Sequence, residues 1–474
     1  MNRKSGFEQH GRVLTRLPPR KTQIREVWGA SMSAISKGYA GHVIGNGLIV
    51  SVFLVLFVAS PAGAQDSSIY VQCPTSTTLH PTEGDPAIKC DHLVAGDGMA
   101  TMADGYPQYI FSFARVPLPG VDGAPTEESG EYASWVMEQG MLAANAPAPT
   151  IVVDEDDELF LSLTNVGMTM RPDLFDPHTV HWHGFPQASA VFDGVPDSSI
   201  SINMGATLTY YYNAKDAGTY MYHCHVEATE HMQMGMLGNL FVHPRQNKLA
   251  DGANLFTEFA SNAANVANGG TTVAPAVNTG ATHAAGATYA YNDGDGTTAY
   301  DVDFPIQIGS FDPDFHDASL NVQPLPFAGM KDRYFMLNGR GYPDTAVAGS
   351  LPDTIDPIGG SHESQPVSSL VTASPGQRIL LRISNLNITE FYTLGTNGLP
   401  MEVVGLDARL LRDDDGNNLY YKTNSLTLGG GQSADVIIVA PSTAGTYFLY
   451  TQNLDRLSNN AENFGGMMTE IRVQ

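Results

Sequence analysis

Two short histidine-rich segments, forty residues apart, constrain the backbone that carries them more tightly than anything else in this 474-residue chain. The first reads His178-Thr-Val-His181-Trp-His183-Gly184. The second reads His223-Cys224-His225 and is followed by His231 and Met236. Side chains alternate between the two faces of an extended strand. His181 and His183 therefore share a face, with Trp182 on the other. His223 and His225 share a face, with Cys224 opposite. An extended run reaching back to His178 puts that residue on the face opposite His181. The pattern asks for a β domain in which Cys224 and His178 point inward and four histidines emerge together outside.

Two imidazoles, a thiolate and a weak axial thioether are the donors of a mononuclear blue-copper centre. His178, His231, Cys224 and Met236 supply that set. Five of the fourteen histidines fall in these two segments and a sixth, His231, follows close behind, which argues against chance. Met232, Met234 and Met236 would share a face in a strand, and methionines so spaced also serve as core. Met236 is the expected axial ligand. The backbone of Cys224 joins its sulfur to His223 and His225, a short covalent route for an electron.

On these motifs the chain resembles the multicopper oxidases. His178-x-x-His181-x-His183-Gly184 is similar to the motif that gives that family one mononuclear ligand and two cluster ligands. His223-Cys224-His225 with His231 and Met236 is similar to its second motif. The resemblance implies type 1 copper on His178, Cys224, His231 and Met236. It implies type 2 copper on His181 and a type 3 pair on His183, His223 and His225. One departure is the loop between Cys224 and His231, six residues where the laccase motif usually has four. Copper nitrite reductases have longer loops there. The segment Phe192-Asp193-Gly194-Val195-Pro196 resembles a stretch whose acid helps deliver protons during oxygen reduction, which makes Asp193 the candidate catalytic residue. An Asp before Gly is equally at home in a plain turn.

Composition fits turn-rich β domains: 48 Gly, 29 Pro and only 15% charged residues. The formal net charge is −25. The first 64 residues carry eight basic and two acidic side chains, which leaves about −31 for the rest. So acidic a body makes nucleic acid and anionic membranes poor partners. The apolar run Gly47–Ala59 followed by Ala62-Gly63-Ala64 reads as an export signal over residues 1–64, with no other membrane binding expected. A start at Met32 would make residues 1–31 a gene-model extension. Export to a periplasmic or extracellular space would suit a disulfide between Cys73 and Cys90.

Beyond the signal, residues 65–104 read as a loop segment containing those two cysteines. Strand patterns at Tyr109–Val116, Thr150–Val153, Glu158–Thr164 and Leu208–Tyr212 suggest a Greek-key sandwich over 105–245. Residues 246–299, rich in Ala, Gly, Asn and Thr, read as a linker or surface loop, with His283 an exposed loop histidine. A second β domain spans 300–474 and echoes the first. Ala217-Gly-Thr-Tyr-Met-Tyr-His-Cys-His225 corresponds to Ala444-Gly-Thr-Tyr-Phe-Leu-Tyr-Thr-Gln452, with Tyr450, Thr451 and Gln452 in place of the copper triplet. Its counterpart of the first histidine strand, Glu390–Gly398, has no histidine. His316 and His362 fit no ligand spacing and read as ordinary polar residues. The expected fold is all-β, two cupredoxin-like Greek-key β-sandwich domains, with copper only in the first.

The family's oxygen-reducing cluster uses eight histidines and this chain offers four. Three readings follow. The first is an oxidase that takes electrons from a small reduced organic or metal-ion substrate and passes them to oxygen, its cluster completed in a homo-oligomer. The second is a blue-copper electron-transfer or copper-binding protein with an incomplete cluster. The third is a nitrite-reductase-like enzyme, ranked last because no histidine follows His362.

Overall fold

The computed structural model describes residues 69–186, 188–260, 277–413 and 415–474. The export signal expected over 1–64 lies outside them. These described residues form one compact unit. Its first half is a sandwich of two four-stranded sheets. The first sheet has the order β2-β1-β4-β6, with β1 Ile88–Thr101, β2 Pro107–Arg115, β4 Glu158–Gly167 and β6 Thr207–Asn213. The second has the order β3-β8-β7-β5, with β3 Ala148–Asp154, β5 His181–His183, β7 Gly218–His223 and β8 Leu237–His243. Leu93, Phe111, Phe113, Leu161, Leu163, Tyr210 and Tyr212 pack from the first sheet against Ile151, Val153, Trp182, Tyr222, Leu240 and Val242 of the second. Full burial of one such apolar side chain contributes roughly 1.5–3 kcal/mol. Cys224 and Met236 belong to the same core.

The second half is built the same way. One sheet runs β12-β11-β16-β22-β18-β19, with β20 also paired to β18. The other runs β15-β24-β23-β17-β21. The first comprises β11 Val302–Phe311, β12 Tyr334–Leu337, β16 Arg378–Asn385, β18 Met401–Leu406, β19 Arg409–Leu410, β20 Tyr421–Thr423 and β22 Gln432–Val439. The second comprises β15 Val371–Ala373, β17 Tyr392–Thr396, β21 Ser425–Leu428, β23 Gly445–Thr451 and β24 Met468–Val473. Two-residue ladders join β9 Thr288–Tyr289 to β10 Ala299–Tyr300 and β13 Thr354–Ile355 to β14 Ser361–His362. The four labelled helices are short: α1 Tyr132–Gln139, α2 Ala228–Met234, α3 Leu255–Ala260 and α4 Pro313–Leu320. No helix among the described residues is long and apolar enough to cross a membrane.

The two halves meet through buried polar bonds on β7 and β8. Thr219 Oγ1 donates to Asp435 Oδ1 at 2.6 Å, and Ser433 Oγ donates to the Thr219 carbonyl at 2.6 Å. Ser384 Oγ donates to Asn239 Oδ1 at 2.7 Å. Arg382 is fully buried between Asp303, 2.9 Å away, and Asp435 at 3.8 Å. Across the junction Arg382 also reaches Thr219 Oγ1 at 3.4 Å and lies over the Phe241 ring at 5.2 Å, and burying polar groups without partners is costly, so these side chains are best satisfied with the other half in place. The strand that ends at His223 is thereby fixed from both sides.

Three expectations need correction. Residues 65–104 are not a loop throughout, because β1 is a 14-residue strand at the heart of the first sheet. It pairs antiparallel with β2 and parallel with β4. Its Gly, Asp and His residues hide the apolar alternation, and both of its faces are covered, so polar and small residues are buried along it. Cys73 and Cys90 are disulfide-bonded and tie the chain ahead of β1 to that strand. Residues 246–299 are not simply a loose linker. Leu255, Tyr289, Tyr291 and Asp293 are buried, and His283 is 3% exposed rather than an exposed loop residue. Asn254 bridges Thr282, the residue before His283, and the Tyr289 ring lies 5.8 Å from the His283 ring. Finally, Met232 and Met234 lie on α2, not on a strand.

Candidate metal centre

Register sets the histidines first. β5 pairs antiparallel with β7, placing His181 opposite His223 and Trp182 opposite Tyr222. Trp182 and Tyr222 point into the sandwich core, and the histidines point out of it. Directly opposed residues on one face of such a pair are close neighbours. The rings of His181 and His223 lie 5.2 Å apart, His181 and His225 5.0 Å, His223 and His225 5.4 Å, and His183 and His223 5.9 Å. The four outer imidazoles therefore form one patch, as the alternation requires.

Hydrogen bonds orient two of these rings. His181 Nδ1 donates to the Asp193 carbonyl at 2.5 Å, and His223 Nδ1 donates to the Cys224 carbonyl at 2.8 Å. Each ring then presents Nε2 as a lone pair, the form that binds metal. Burial holds His181, His183 and His223 below the ordinary imidazole pKa, His223 down to about 3. The Asp193 carboxylate sits 3.7 Å from His181 Nδ1 and is partly exposed. Asp193 is the residue at which the 3-10 turn Ala190–Phe192 ends. Gly194 follows with φ +80°, and a Cβ there would lie 2.2 Å from the Val180 carbonyl oxygen. That turn needs glycine to bring Asp193 against His181.

The inner site lies one residue further along, where Cys224 continues past the end of β7. His178 is outside β5 and makes an isolated antiparallel bridge with Ile202. It still points inward. Ligand atoms of His178, Cys224 and His231 all lie within 4.8 Å of one another, and all three residues are buried. Cys224 Sγ is 3.8 Å from His178 Nδ1 and 3.2 Å from His231 Nδ1. The Thr179 backbone N–H approaches the sulfur at 3.5 Å. Met236 is completely buried in the same cluster, and its carbonyl accepts from Cys224 N at 3.2 Å.

His231 departs from the strand pattern. It sits in α2, whose C-cap Gly235 has φ +114° and reverses the chain into Met236 and β8. Two residues more than the laccase motif are absorbed as this helical turn. Burial alone would lower the His231 pKa, but Cys224 and Asp176 outweigh it and raise it to about 10. His178, by contrast, is held well below its usual value by burial and by His231. A sealed pocket that favours positive charge beside sulfur, with two imidazole Nδ1 atoms aimed at one thiol, fits copper.

Sequence reasoning missed three neighbours. Thr179 donates its N–H to the sulfur, and its Oγ1 accepts from His225 N at 3.1 Å, bracing inner and outer sites together. Asp176 places Oδ2 3.8 Å from His231 Nε2. With Glu227 and His231 it forms the second three-residue donor group among the described residues. Its position two residues before His178 was the available signal. His316, read as an ordinary polar residue, is completely buried against the ligand loop. The outer four histidines do not bring three ligand atoms within 4.8 Å of one another. Beside them the second half contributes Asp407, Gly431 and Ser433, which line a cavity of about 230 Å³ with His183 and Thr219.

Comparison with known proteins agrees with this geometry. A family model described as multicopper oxidase matches residues 132–247, and a second of the same description matches 325–471. The multicopper oxidase MCE of Talaromyces pinophilus is 34% identical over 115 residues, covering 23% of this chain and 18% of that protein. Laccase-1 of Emericella nidulans is 34% identical over 105 residues, covering 22% and 16%. The match thus spans less than a fifth of the length of either relative. Among solved structures, the blue copper oxidase from Nitrosomonas europaea superimposes with a TM-score of 0.51 at 20% identity, covering 81% of this chain and 86% of that one. That likeness shows a shared fold. The two family matches together cover more than half of the chain, one falling on each sandwich, and the chain belongs to the multicopper oxidase family, whose cofactor is copper.

Proposed function

We propose that this protein is an exported copper oxidoreductase. In this reading it takes electrons from a reduced donor at His178, Cys224, His231 and Met236, and delivers them to oxygen at the outer histidines. The observation that carries it is the back-to-back placement of the two sites. Cys224 lies between His223 and His225 in the chain, so the inner thiolate is linked to the outer rings by a few covalent bonds. Copper bound at the inner and outer sites supplies one-electron redox chemistry and oxygen reduction respectively. The chain's own residues do the rest. The sandwich core seals His178 and Cys224 from water. The Asp193 carbonyl fixes the His181 tautomer. The Asp193 carboxylate, partly exposed, holds and passes protons beside that ring.

The donor docks on the surface over the buried His231, where Asp176 and Glu227 form the rim. The His231 Nε2 points away from Cys224 and toward Asp176 and Glu227. With the formal net charge of −25, this rim favours cationic organic or metal-ion donors. The disulfide Cys73–Cys90 supports an oxidising compartment. The outer cluster is completed by a second copy of the chain. The support is that four histidines, no three of them convergent, leave the site half built. The test is oxygen consumption by size-separated, copper-loaded monomer and oligomer. Turnover confined to the oligomer supports the reading. An undiminished rate in a verified monomer removes the shared site. Reversible cycling of the inner copper with no oxygen uptake in any form favours the electron-transfer alternative.

A further inference from the structure

The loop that carries His231 and Met236 is gripped from the other half of the chain. Gln233 lies between the two and is 2% exposed. Its Oε1 accepts from Asp312 N at 3.1 Å. Its Nε2 donates to Asp332 Oδ1 at 2.9 Å and to Met330 Sδ at 3.2 Å. Its backbone carbonyl oxygen lies 2.9 Å from His316 Nε2. The other nitrogen of that ring, Nδ1, lies 2.5 Å from the Tyr109 carbonyl oxygen on β2. His316 stands on α4 and is fully buried, with the Phe311 ring 4.6 Å away. One residue past Met234, the Gly235 carbonyl accepts from Ser112 Oγ at 2.9 Å. A Cβ at Gly235 would sit 3.3 Å from the Phe311 ring, so this half packs directly on the turn.

Both atoms facing His316 are carbonyl oxygens, which only accept. A neutral imidazole donates to one of them, a charged one to both. Burial pushes this histidine down to about 4, while the two carbonyls pull the other way. In either state the ring supplies a donor where an aliphatic side chain supplies none, and a buried carbonyl left without a donor is costly. The contact matters because of what it holds. His231 precedes Gln233 by two residues and Met236 follows it by three, so movement of this turn changes how both approach Cys224.

We propose that His316 is a positioning residue for the inner centre. Together with the Gln233–Asp332 pair it lets the copperless second half of the chain fix the ligand loop of the first. The proposal rests on the reading of His178, Cys224, His231 and Met236 as copper ligands. Groups outside the ligand shell that orient ligands tune both affinity and potential, and copper held by His178, Cys224, His231 and Met236 would have a potential sensitive to the thioether and to the surroundings of the sulfur.

The test uses the full chain with His316→Leu, His316→Gln and Asp332→Ala. Two readouts are taken. One is amide hydrogen exchange of residues 230–236 in copper-free protein. The other is the reduction potential and copper hyperfine splitting of the loaded protein. His316→Leu is expected to speed exchange in that segment by about tenfold. It should also change the reduction equilibrium about tenfold, which is about 59 mV for one electron. His316→Gln, whose amide carries two N–H groups, should restore most of both. Asp332→Ala should move both in the same direction as the leucine variant and serves in its place if that variant does not fold. Unchanged exchange and potential in a folded His316→Leu or Asp332→Ala protein overturn the proposal. So does a glutamine variant no better than leucine. A colourless wild-type protein would defeat the copper reading instead, and the exchange measurement would still decide the clamp.

Discussion

Cys224 and its two neighbours carry the residue-scale logic. A spacing of one residue turns a buried thiol and two outward imidazoles into adjacent sites, and alternation along a strand is enough to foresee this. The four outer histidines and the inward pair were legible for that reason. Removing an outer ring should therefore separate the two functions. His181→Ala and His225→Ala are expected to keep the visible band of the inner centre nearly intact. Oxygen turnover should fall at least about a hundredfold in both, the upper end of what loss of a ligand's supporting partner costs. Paired optical spectra and oxygen-electrode rates check this, and a parallel loss of colour and turnover would mean the two sites are not distinct. What stayed hidden at this scale was the company the ligands keep. Nothing in the one-dimensional pattern marks Thr179, which contacts both sites only because the chain turns at His178. Likewise His316 lies 92 positions from Cys224 in the sequence.

At the scale of elements, the sequence revealed the regular strands and concealed the irregular pieces. β2, β4, β6 and the echo between β7 and β23 follow from alternation and from a repeated Ala-Gly-Thr-Tyr phrase. β1 escaped because Asp97 and two glycines interrupt its apolar residues, yet Asp97 is buried and bonded to Tyr109 at 2.8 Å. The helix α2 escaped because a seven-residue stretch after a strand, about two turns, gives too little periodicity to reveal a helix. The Asp193–Gly194 turn is the element on which the outer site depends most. A side chain at Gly194 meets both a positive φ and the Val180 carbonyl, whose oxygen would be 2.2 Å from the new Cβ. Gly194→Ala should destabilise the fold by about 3 kcal/mol. It should also weaken copper retention at the outer histidines more than at the inner site. Denaturant unfolding and copper analysis measure the two effects. A stability within about 0.5 kcal/mol of wild type would show that the turn yields freely.

For the whole molecule, acid should be more damaging than base. Burial lowers His92 and His316 to about 4 and His223 to about 3. The unfolded chain protonates each of them near 6.5. Between those values the unfolded state binds more protons, so stability falls as the pH drops from about 6.5 to 4, by up to about 3 kcal/mol per histidine. Glu155, raised to about 7 by burial, acts in the opposite direction, as do Asp97, Asp332 and Asp435, also raised by burial, and together they offset part of this. The melting temperature of copper-free protein should therefore decline steadily from pH 6.5 to 4.5, and a rise over that range would contradict the assignment of buried neutral histidines. The second sandwich, whose described residues bring no three His, Cys, Asp or Glu ligand atoms together, keeps its place through Arg382, Asp435 and the grip on Gln233, so the two halves act as one body around a single inner centre. That centre is tested most directly by the optical and paramagnetic spectra of the copper-loaded full chain beside Cys224→Ser, with copper measured in both. Wild type is expected to be blue, with intense charge transfer from the thiolate and a narrow copper hyperfine splitting, and the serine variant to lose both. A colourless wild-type protein that retains Cys224 and copper, or a serine variant that keeps the blue band, would contradict it.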